Sequence, residues 1–341
     1  MRLLGRKRAE DAEDRSANLP ESVLEQLPIV EAEAVKMARE AGRIVSSLFG
    51  KSIQVDYKDE KKTDPVTAAD TQSQAFLVEA IKSRFPDHGV LGEEDGDEEE
   101  QEVTATDWLW VLDPLDGTTN FLNGLPIYAV SIGVLYRGVP VAAALYLPWP
   151  EAGSGFILHA RRGGGAFQDD EPLSLEDVET VIANRLSGIP GSFGGQYRVG
   201  KELRRKVGEV RVTGSIAYEL AMVARGVMQY CVIGGPRLWD MAAGVLVVAE
   251  AGGAVMVRQR RGWEPMASLI PTWSTKPPTM KELRNWVQPL VAGKARIAPF
   301  VASNLRRRRP SLRARVFRLV RRRRRRQAAS RHQDSSATAS G

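Results

Sequence analysis

Apolar residues recur along the chain with two different spacings, and these predict both helices and strands. Apolar positions that return every three or four residues predict helices over 27–49, 67–85, 216–225 and 239–251. Gly50, Pro86 and Gly252 directly follow three of these segments, as is typical of helix ends.

Shorter apolar runs predict strands at 52–57, near Val90, and at 108–112, 227–233 and 254–257, with several more between 128 and 158. The 128–158 region is interrupted at Arg137-Gly138 and at 148–150, which favours antiparallel strands joined by tight turns. A crossover is expected at 172–181. Helices followed by a sheet and then by alternating elements predict a layered α+β and α/β architecture.

Four short segments combine carboxylates with turn residues. They are Asp64-Pro-Val-Thr-Ala-Ala-Asp70, Gly92-Glu93-Glu94, Trp110-Val-Leu-Asp-Pro-Leu-Asp-Gly-Thr-Thr-Asn-Phe121, and Trp239-Asp-Met-Ala-Ala-Gly244 with Glu250-Ala-Gly-Gly253. His88 and His159 lie outside all four, so we interpret both histidines as structural.

In the third segment, an apolar strand ends at Asp113 and the proline after it bends the chain. Asp116 is therefore expected to return to the same point as Asp113. Gly117 permits close approach of the backbone, and Thr118 or Thr119 suits the cap of a helix whose free N–H groups favour a phosphate. Carboxylates beside a phosphate are what Mg²⁺ binds in proteins, so the segment predicts a magnesium-dependent phosphate site.

Each segment also has a purely structural interpretation. Asp113 and Asp116 would form an acidic turn, and Asp70 would be a surface carboxylate on a helix. Asp240 would be a helix N-cap. Glu93 opens the acidic run 93–102, which is typical of a solvated loop. The occurrence of all four segments in one chain favours the chemical interpretation.

Charge is distributed unevenly. The net charge is +6, but residues 301–341 contain fourteen arginines and one acid and carry +13, which leaves −7 for residues 1–300. The basic tail is predicted to be disordered or a basic amphipathic helix, with an apolar stripe at Leu312, Val316, Leu319 and Val320. Its candidate partners are RNA and an anionic membrane surface, and the alternative is a solvated tail without a partner.

Cys231 is the single cysteine, which excludes an intrachain disulfide and fits a reducing compartment. No run of about 18 apolar residues exists, so no membrane span is expected. Residues 1–18 lack the apolar stretch of a secretory signal. The expected location is the cytoplasm.

The strings Asp113 to Phe121 and Trp239 to Gly253, with Gly92-Glu93-Glu94 upstream, resemble the signatures of the inositol monophosphatase family. The resemblance covers roughly residues 29–293. It implies a five-layered α-β-α-β-α sandwich of the inositol monophosphatase and fructose-1,6-bisphosphatase type. It also implies hydrolysis of phosphate monoesters with two or three Mg²⁺ ions.

The resemblance assigns roles to individual residues. The implied metal ligands are Glu93, Asp113, the main-chain carbonyl of Leu115, Asp116 and Asp240, with Asp113 bridging two ions. Asp70 and Thr118 would orient the attacking water, and Glu94 would support the ligands without binding an ion itself.

The implied substrate contacts are Gly117 and Thr118 for the phosphate, with Lys58, Ser215 and Ile233 in the pocket. Lys61 and Lys62 compete with Lys58 for the lysine position. Ile233 stands where inositol-specific members carry a glutamate, and Ile216 where an alanine is usual, so the sugar specificity is left open.

The expected substrate is inositol monophosphate or a related sugar or polyol phosphate. Fructose-1,6-bisphosphatase, histidinol-phosphatase and 3′-phosphoadenosine-phosphatase activities are alternatives, and a homodimer is compatible with the sequence. The predicted organisation is a flexible segment 1–26, a catalytic domain 27–300 with halves at 27–170 and 171–300, and the basic tail 301–341.

Overall fold

A computed structural model describes residues 19–52, 55–57, 65–94, 106–148, 155–273 and 275–308. The helices are α1 Glu21–Leu24, α2 Leu27–Leu48, α3 Ala68–Arg84, α4 Thr118–Leu122, α5 Phe193–Gln196, α6 Lys201–Arg204, α7 Ile216–Ala224, α8 Leu238–Glu250, α9 Met280–Arg284 and α10 Ile297–Ser303. The strands are β1 Val55–Tyr57, β2 Pro65–Thr67, β3 Gly89–Gly92, β4 Trp108–Asp116, β5 Ala129–Tyr136, β6 Val139–Leu147, β7 Phe156–Arg161, β8 Gly165–Gln168, β9 Glu171–Leu173, β10 Leu186–Gly188, β11 Tyr197–Val199, β12 Glu209–Arg211, β13 Met228–Ile233, β14 Gly253–Arg258, β15 Trp263–Pro265, β16 Leu290–Lys294 and β17 Leu305–Arg307.

The larger sheet has seven strands in the order β3-β4-β5-β6-β7-β8-β9. Only the β3–β4 pair is parallel, and the other pairs are antiparallel neighbours in sequence. The turn between β5 and β6 is Arg137-Gly138, where both residues have positive φ, 47° and 79°. Two consecutive positive φ angles match the twist of a two-residue hairpin, which confirms the tight turn predicted at this position.

The smaller sheet has six strands in the order β12-β10-β13-β16-β14-β15. Strand β10 runs parallel to both β12 and β13, whereas β16 is antiparallel to β13 and β14. The first sheet ends at Leu173 and the second begins at Leu186, so the change between halves falls slightly after the predicted division at 170.

Five layers result from how the helices cover these sheets. Helices α2 and α3 pack on one face of the seven-stranded sheet, α7 and α8 lie between the two sheets, and α10 packs on the outer face of the six-stranded sheet. Strand β13 shows the alternation that this requires. Cys231 and Ile233 belong to the core between the sheets, whereas Tyr230 and Val232 belong to the outer core. The predicted α-β-α-β-α sandwich is confirmed.

Helix α2 illustrates why the helical periodicity was reliable. Val30, Ala34, Ala38, Ala41 and Val45 are at most 1% exposed and form one stripe against the sheet. A proline in the first turn fits the helix start, because its missing N–H has no partner there. Within the described ranges, no helix is both long and apolar enough to cross a bilayer.

Both predicted ends of the catalytic domain need correction. The segment 1–26 was expected to be flexible, yet residues 21–24 form α1, and Val23 is buried at 3% exposure. The tail was expected to begin at residue 301. Instead Val301 and Leu305 are buried, and β17 pairs with β11. The prediction placed the boundary where the charge changes, but the apolar residues among these arginines anchor the chain to the outer core.

A buried ionic network joins α2 to β7. The Glu31 carboxylate, in a residue only 4% exposed, contacts His159 Nδ1 at 2.7 Å and accepts a hydrogen bond from Arg161 Nη1 at 2.6 Å. His159 Nε2 lies 2.8 Å from the Asp169 carbonyl oxygen. Both ring nitrogens therefore face acceptors, which favours the doubly protonated imidazolium. This network gives His159 a structural role, as the sequence indicated.

Burial raises the pKa of Glu31, but hydrogen bonds from His159 and Arg161 outweigh burial and lower the pKa overall. For His159, burial lowers the pKa, and the contacts with Glu31 and the Asp169 carbonyl outweigh it and raise the pKa. The Glu31 contribution is therefore present above about pH 4.5 and is lost as pH falls through its folded-state pKa. The His159 contribution is present below about pH 6.5 and is lost as pH rises through its folded-state pKa.

We expect Glu31→Gln to reduce the free energy of unfolding by about 2 kcal/mol at pH 5.5, because it weakens hydrogen bonds to charged partners. The loss should be smaller at pH 9, because the imidazole of His159 loses its charge as pH rises through its folded-state pKa. Urea unfolding of both proteins at the two pH values measures the difference. Glu40→Gln is the control, since Glu40 forms an exposed ion pair with Arg43 on the same helix. An equal loss at both pH values would contradict the assigned role of His159.

Candidate active site

A β-bulge brings two carboxylates of β4 to one face of the sheet. Asp113 pairs with Ser131 and Asp116 pairs with Ala129, so two residues of β4 oppose one residue of β5 between them. Residues three apart on a regular strand point to opposite faces, and the extra residue in the bulge reverses this. Asp113 and Asp116 therefore share a face, as the sequence predicted from the proline between them.

Gly117 turns the chain from this strand into α4. Its φ is 98°, which an L-residue with a side chain rarely adopts. A Cβ atom here would lie 2.9 Å from the Ile127 carbonyl oxygen and 3.1 Å from Ser215 Cβ. The glycine thus lets the start of α4 approach the loop before α7, and any larger residue would push them apart.

Asp240 reaches the site because α8 packs unusually close to β5. A Cβ on Gly133 would lie 2.6 Å from Ala242 Cβ and 2.8 Å from the Ala243 nitrogen. The Ser131 hydroxyl also donates a 3.2 Å hydrogen bond to the Trp239 carbonyl at the start of α8. Asp240 Oδ2 accepts a hydrogen bond from the Arg237 backbone N–H at 2.7 Å. Asp240 therefore caps its helix from the third position, and it also belongs to the carboxylate cluster.

Ser215 links Asp116 to the beginning of α7. Its hydroxyl donates to Asp116 Oδ2 at 2.8 Å and accepts from the Tyr218 N–H at 3.2 Å, as a helix N-cap does. The Ala217 backbone N–H also donates to Asp116 Oδ2. Helix α7 therefore fixes the orientation of the Asp116 carboxylate, and Ser215 touches this carboxylate directly.

Asp70 meets Thr118 across the site. Asp70 is 1% exposed and lies at the third position of α3, where its Oδ2 accepts hydrogen bonds from the Thr67 N–H at 2.8 Å and the Thr67 hydroxyl at 2.6 Å. The Thr118 hydroxyl lies 3.1 Å from Asp70 Oδ1 and 3.1 Å from the Leu115 carbonyl oxygen. The surface alternative for Asp70 is therefore wrong, and Asp70 and Thr118 contact each other directly.

Two residues of α3 that the sequence analysis did not single out position the neighbouring loops. The Ser73 hydroxyl donates to the Pro114 carbonyl at 3.2 Å, and Gln74 Oε1 accepts from the Glu94 N–H at 2.9 Å. Both are buried and lie three and four positions after Asp70, hence on the same helix face. Their spacing from Asp70 could have indicated this role in the sequence, because polar residues three and four positions after Asp70 lie on the helix face that carries Asp70.

Asn120 and Glu219 connect α4 to the loop before α7 through hydrogen bonds that the sequence did not predict. Asn120 Nδ2 donates to the Ile127 and Thr213 carbonyls, both at 2.7 Å. Glu219, 7% exposed, accepts from the Thr213 hydroxyl at 2.9 Å. Asn120 belongs to the third segment, but a sequence alone does not reveal which distant carbonyl it binds.

The carboxylates are close enough to disturb each other's ionisation. Burial is the largest cause that raises the pKa of Asp113 well above its ordinary value, followed by repulsion from Glu93, Asp116 and Asp240. Burial and repulsion from Asp240 likewise raise the pKa of Asp116 well above its ordinary value. Burial raises the pKa of Asp240 to about 7, with Glu93 adding to the rise. Four acidic side chains thus share one low-dielectric site.

The chemistry of this donor set fits a divalent cation. All the groups are oxygens, which Mg²⁺ prefers, and a cation would remove the repulsion that raises their pKa values. Among the residues described, no three acidic, histidine or cysteine side chains are already arranged around one point as metal ligands. Asp116 and Asp240 instead accept hydrogen bonds from backbone N–H groups, and Asp113 hydrogen-bonds to Glu93.

One predicted pocket residue lies away from the cluster, and another is outside the described residues. Ile233 ends β13, is 3% exposed and packs in the core between the sheets. Lys58, with its alternatives Lys61 and Lys62, lies outside the described residues, as does Asp64. Leu115 is also buried, and its carbonyl oxygen faces the Thr118 hydroxyl.

These features define a phosphatase of the five-layered sandwich class. The model of the inositol monophosphatase family matches residues 27–285, and the chain belongs to this family. It is a phosphoric monoester hydrolase, and magnesium dependence is typical of the family.

Several curated relatives match at similar levels. The chain is 36% identical over 231 residues to the chloroplastic phosphatase IMPL1 of Arabidopsis thaliana, a match that covers 65% of this chain but 61% of that protein. It is 31% identical over 230 residues to the fructose-1,6-bisphosphatase/inositol-1-monophosphatase of Aquifex aeolicus, covering 65% and 83% of the two chains. It is 36% identical over 228 residues to the Nus factor SuhB of Escherichia coli K12, covering 65% and 82%.

Solved structures agree on the fold. The extragenic suppressor protein SuhB of Bartonella henselae superimposes with a TM-score of 0.62 at 27% identity, over 81% of this chain and 98% of that chain. The inositol monophosphatase of Thermotoga maritima gives a TM-score of 0.60 at 26% identity, over 79% and 93%.

Proposed function

We propose that this protein hydrolyses inositol monophosphate or a related sugar or polyol phosphate, and that two or three Mg²⁺ ions take part. The observation that carries the proposal is the cluster of Glu93, Asp113, Asp116 and Asp240, in which burial and repulsion raise the pKa values of the three aspartates. A buried site that concentrates negative charge cannot accept a phosphate dianion unless cations are present. Metal ions must therefore bind to the cluster before a phosphate substrate can bind.

The residues that would hold the ions are Glu93, Asp113, Asp116 and Asp240 through their carboxylates, and Leu115 through its carbonyl. Bound magnesium would neutralise the phosphate charge and lower the pKa of a water molecule. Asp113 is central in the cluster, since it is repelled by all three other carboxylates. It is thus the group best placed to serve two ions. Glu94, whose N–H is held by Gln74, would keep the loop after β3 in position.

Thr118 and Asp70 would place the attacking water. When the Thr118 hydroxyl donates to Asp70 Oδ1 at 3.1 Å, its lone pairs are free to accept a hydrogen bond from a water molecule. Burial raises the pKa of Asp70, and the hydrogen bonds from Thr67 and Thr118 oppose that rise. The Asp70 carboxylate would therefore fix the direction of the threonine and, through it, of the water. Gly117 and Thr118 would contact the phosphate.

The end of β13 offers no side chain for a polyol. Residues 233–235 are Ile-Gly-Gly, and none of these three residues has a side chain that can hydrogen-bond a sugar hydroxyl. Ser215 offers a hydroxyl, but it already contacts Asp116. Fructose-1,6-bisphosphate, histidinol phosphate and 3′-phosphoadenosine phosphates are therefore alternative substrates. The name of the Aquifex relative combines the first of these with inositol phosphate.

We expect hydrolysis by the wild-type protein to stop in EDTA and to return with Mg²⁺. Asp113→Asn should lower kcat at saturating Mg²⁺ by at least about a hundredfold, the cost of losing a group that stabilises developing charge. Phosphate release from a panel of phosphomonoesters measures both effects.

Asp107→Asn is the matched control, since Asp107 directly precedes β4 and pairs with Arg137 at the opposite end of that strand. It should retain the wild-type rate. Full activity of the wild-type protein in EDTA would contradict the proposed mechanism.

We also expect kcat/KM for inositol 1-phosphate to exceed that of the other phosphomonoesters by less than about a hundredfold. Apolar surfaces discriminate by small factors, whereas buried hydrogen-bonding groups discriminate by several powers of ten. Steady-state kinetics on the four substrate types gives the ratios. A larger preference for inositol 1-phosphate would show that polyol-binding groups exist elsewhere in the pocket.

The basic tail suggests a second role. We propose that it contacts RNA or an anionic membrane, and that the protein acts in the cytoplasm, where its single buried cysteine would stay reduced. The supporting observation is charge, since residues 309–341 carry eleven of the fourteen arginines after residue 300. The stripe Leu312, Val316, Leu319 and Val320 lies outside the described residues. A homodimer is a further proposal.

Deletion of residues 309–341 should leave phosphate hydrolysis nearly unchanged and weaken binding to RNA or to anionic vesicles. Deletion from residue 301 should instead destabilise the protein, because it removes buried Val301 and Leu305 and strand β17. Thermal unfolding and binding assays on both truncations separate the two effects. Unchanged binding after the shorter deletion would leave the solvated tail as the correct interpretation.

A further inference from the structure

Five arginines from four elements, together with Arg308 directly after β17, gather on the outer layer of the six-stranded sheet. This outer arginine surface consists of Arg198, Arg204, Arg258, Arg306, Arg307 and Arg308. All are exposed except Arg258, which is half-buried. Within the part of the chain that the structure describes, none of the six forms an ion pair with an acidic residue.

The β11–β17 ribbon places two of these charges side by side. Arg198 is directly opposite Arg306 in the antiparallel register, and Tyr197 is opposite Arg307. Like charges directly opposite each other destabilise a strand pair. The ribbon nevertheless forms, because Tyr197 and Leu305 on its other side are buried in the outer core. A polyanion bound here would relieve the repulsion.

Aromatic contacts join the other arginines to the ribbon. The Trp263 ring lies 6.0 Å from the Tyr197 ring, and the Arg258 guanidinium lies 5.8 Å from the Trp263 centroid. Trp263 Nε1 donates to the Leu305 carbonyl at 3.3 Å. Burial raises the pKa of Tyr197, and the nearby charges of Arg307 and Arg258 oppose the rise. Arg308 Nε donates to the Tyr197 carbonyl and Arg204 Nη2 to the Val199 carbonyl.

This surface is separate from the carboxylate cluster. The ribbon packs on the outer face of the smaller sheet with Tyr230 and Val232, whereas α7 and α8, which carry Ser215 and Asp240, pack on the inner face. A ligand of the arginines would therefore lie across the sheet from the substrate. Charge on this surface has no role in the proposed hydrolysis.

We propose that the outer arginine surface binds single-stranded RNA. Exposed cations on the ribbon, beside a half-exposed tryptophan that Arg258 contacts, match the combination of phosphate contacts and base stacking that single strands use. A membrane fits less well, because none of the exposed large apolar side chains belongs to β11, β17 or the β14–β15 hairpin. The proposal extends the RNA contact suggested for the tail onto the folded body, and different variants test the two.

The test uses the full chain with Arg198→Gln, Arg306→Gln and Arg307→Gln combined, and a labelled oligouridylate as the probe. The control combines Arg43→Gln, Arg137→Gln and Arg296→Gln, which removes the same charge from arginines that have acidic partners. Affinity should fall about tenfold in the first variant. The slope of log affinity against log salt concentration should also become shallower by about 2, because each phosphate contact on a single strand contributes ~0.7 to that slope. The control should bind like the wild type. Both variants should hydrolyse phosphomonoesters at the wild-type rate, which verifies their folding.

Ultraviolet cross-linking of the oligouridylate, followed by peptide mapping, gives an independent location. Cross-links to peptides containing Tyr197 or Trp263 would support the proposal. Equal losses in the two triple variants, or no loss in either, would overturn it. Loss of anionic vesicle binding with intact RNA binding would also overturn it, in favour of a membrane. Failure of hydrolysis in the wild-type protein would bear only on the catalytic proposal.

Discussion

Repulsion among four clustered carboxylates is the constraint on which the arrangement of this protein depends. Glu93, Asp113, Asp116 and Asp240 come from three separate parts of the chain, and each raises the free energy of the others in its ionised form. Such a cluster opposes folding, so the surrounding structure must hold it. The hydrogen bonds from Ser215, Ala217 and Arg237 to these carboxylates are part of that support. A divalent cation would convert the same repulsion into affinity, which is why a phosphatase tolerates it.

Packing of the two sheets provides the stability that offsets the repulsion among the carboxylates. Strands β4, β5 and β6 are almost entirely buried, and helices α7 and α8 fill the space between the sheets with apolar residues. The site lies where this rigid interior ends, at the bulge in β4 and at the starts of α7 and α8. Rigid supports matter here, because charge stabilisation depends on groups that need not reorganise during the reaction. Gly117 lets the start of α4 approach the loop before α7, and Gly133 lets α8 pack closely on β5. Both close approaches are needed to hold the carboxylates in place.

The outer layer has a different character. Its core is apolar, with Tyr197, Leu305 and Val301 buried, but the ribbon above this core exposes several arginines. Charge segregation between the acidic body and the basic C-terminal region is therefore not confined to the tail. It begins on a folded ribbon, where an Arg–Arg pair is held in register by the residues beneath it. A surface that keeps such a pair is suited to a polyanionic partner and not to intramolecular ion pairs.

Much of this could be predicted from the sequence, because local rules govern it. The helices at 27–48, 68–84, 216–224 and 238–250 follow from apolar spacing and end signals, and the Arg137-Gly138 turn follows from its position between two strands. The position of Asp113 and Asp116 on the same face follows from the proline between them in the strand. The resemblance to the family signatures predicted the sandwich, which the structure has, and singled out the other carboxylates.

Only the tertiary structure decided which distant groups meet. No local rule places Ser73 against the Pro114 carbonyl, Asn120 against the Thr213 carbonyl, or Ser215 against Asp116, since these contacts depend on how helices dock on a sheet. For the same reason, the folded domain extends beyond residue 300, where its end was predicted. Composition showed a change of charge there, whereas burial of Val301 and Leu305 beneath the arginines depends on a strand partner about a hundred residues away in sequence. Charge patterns are local, but pairing and packing are not.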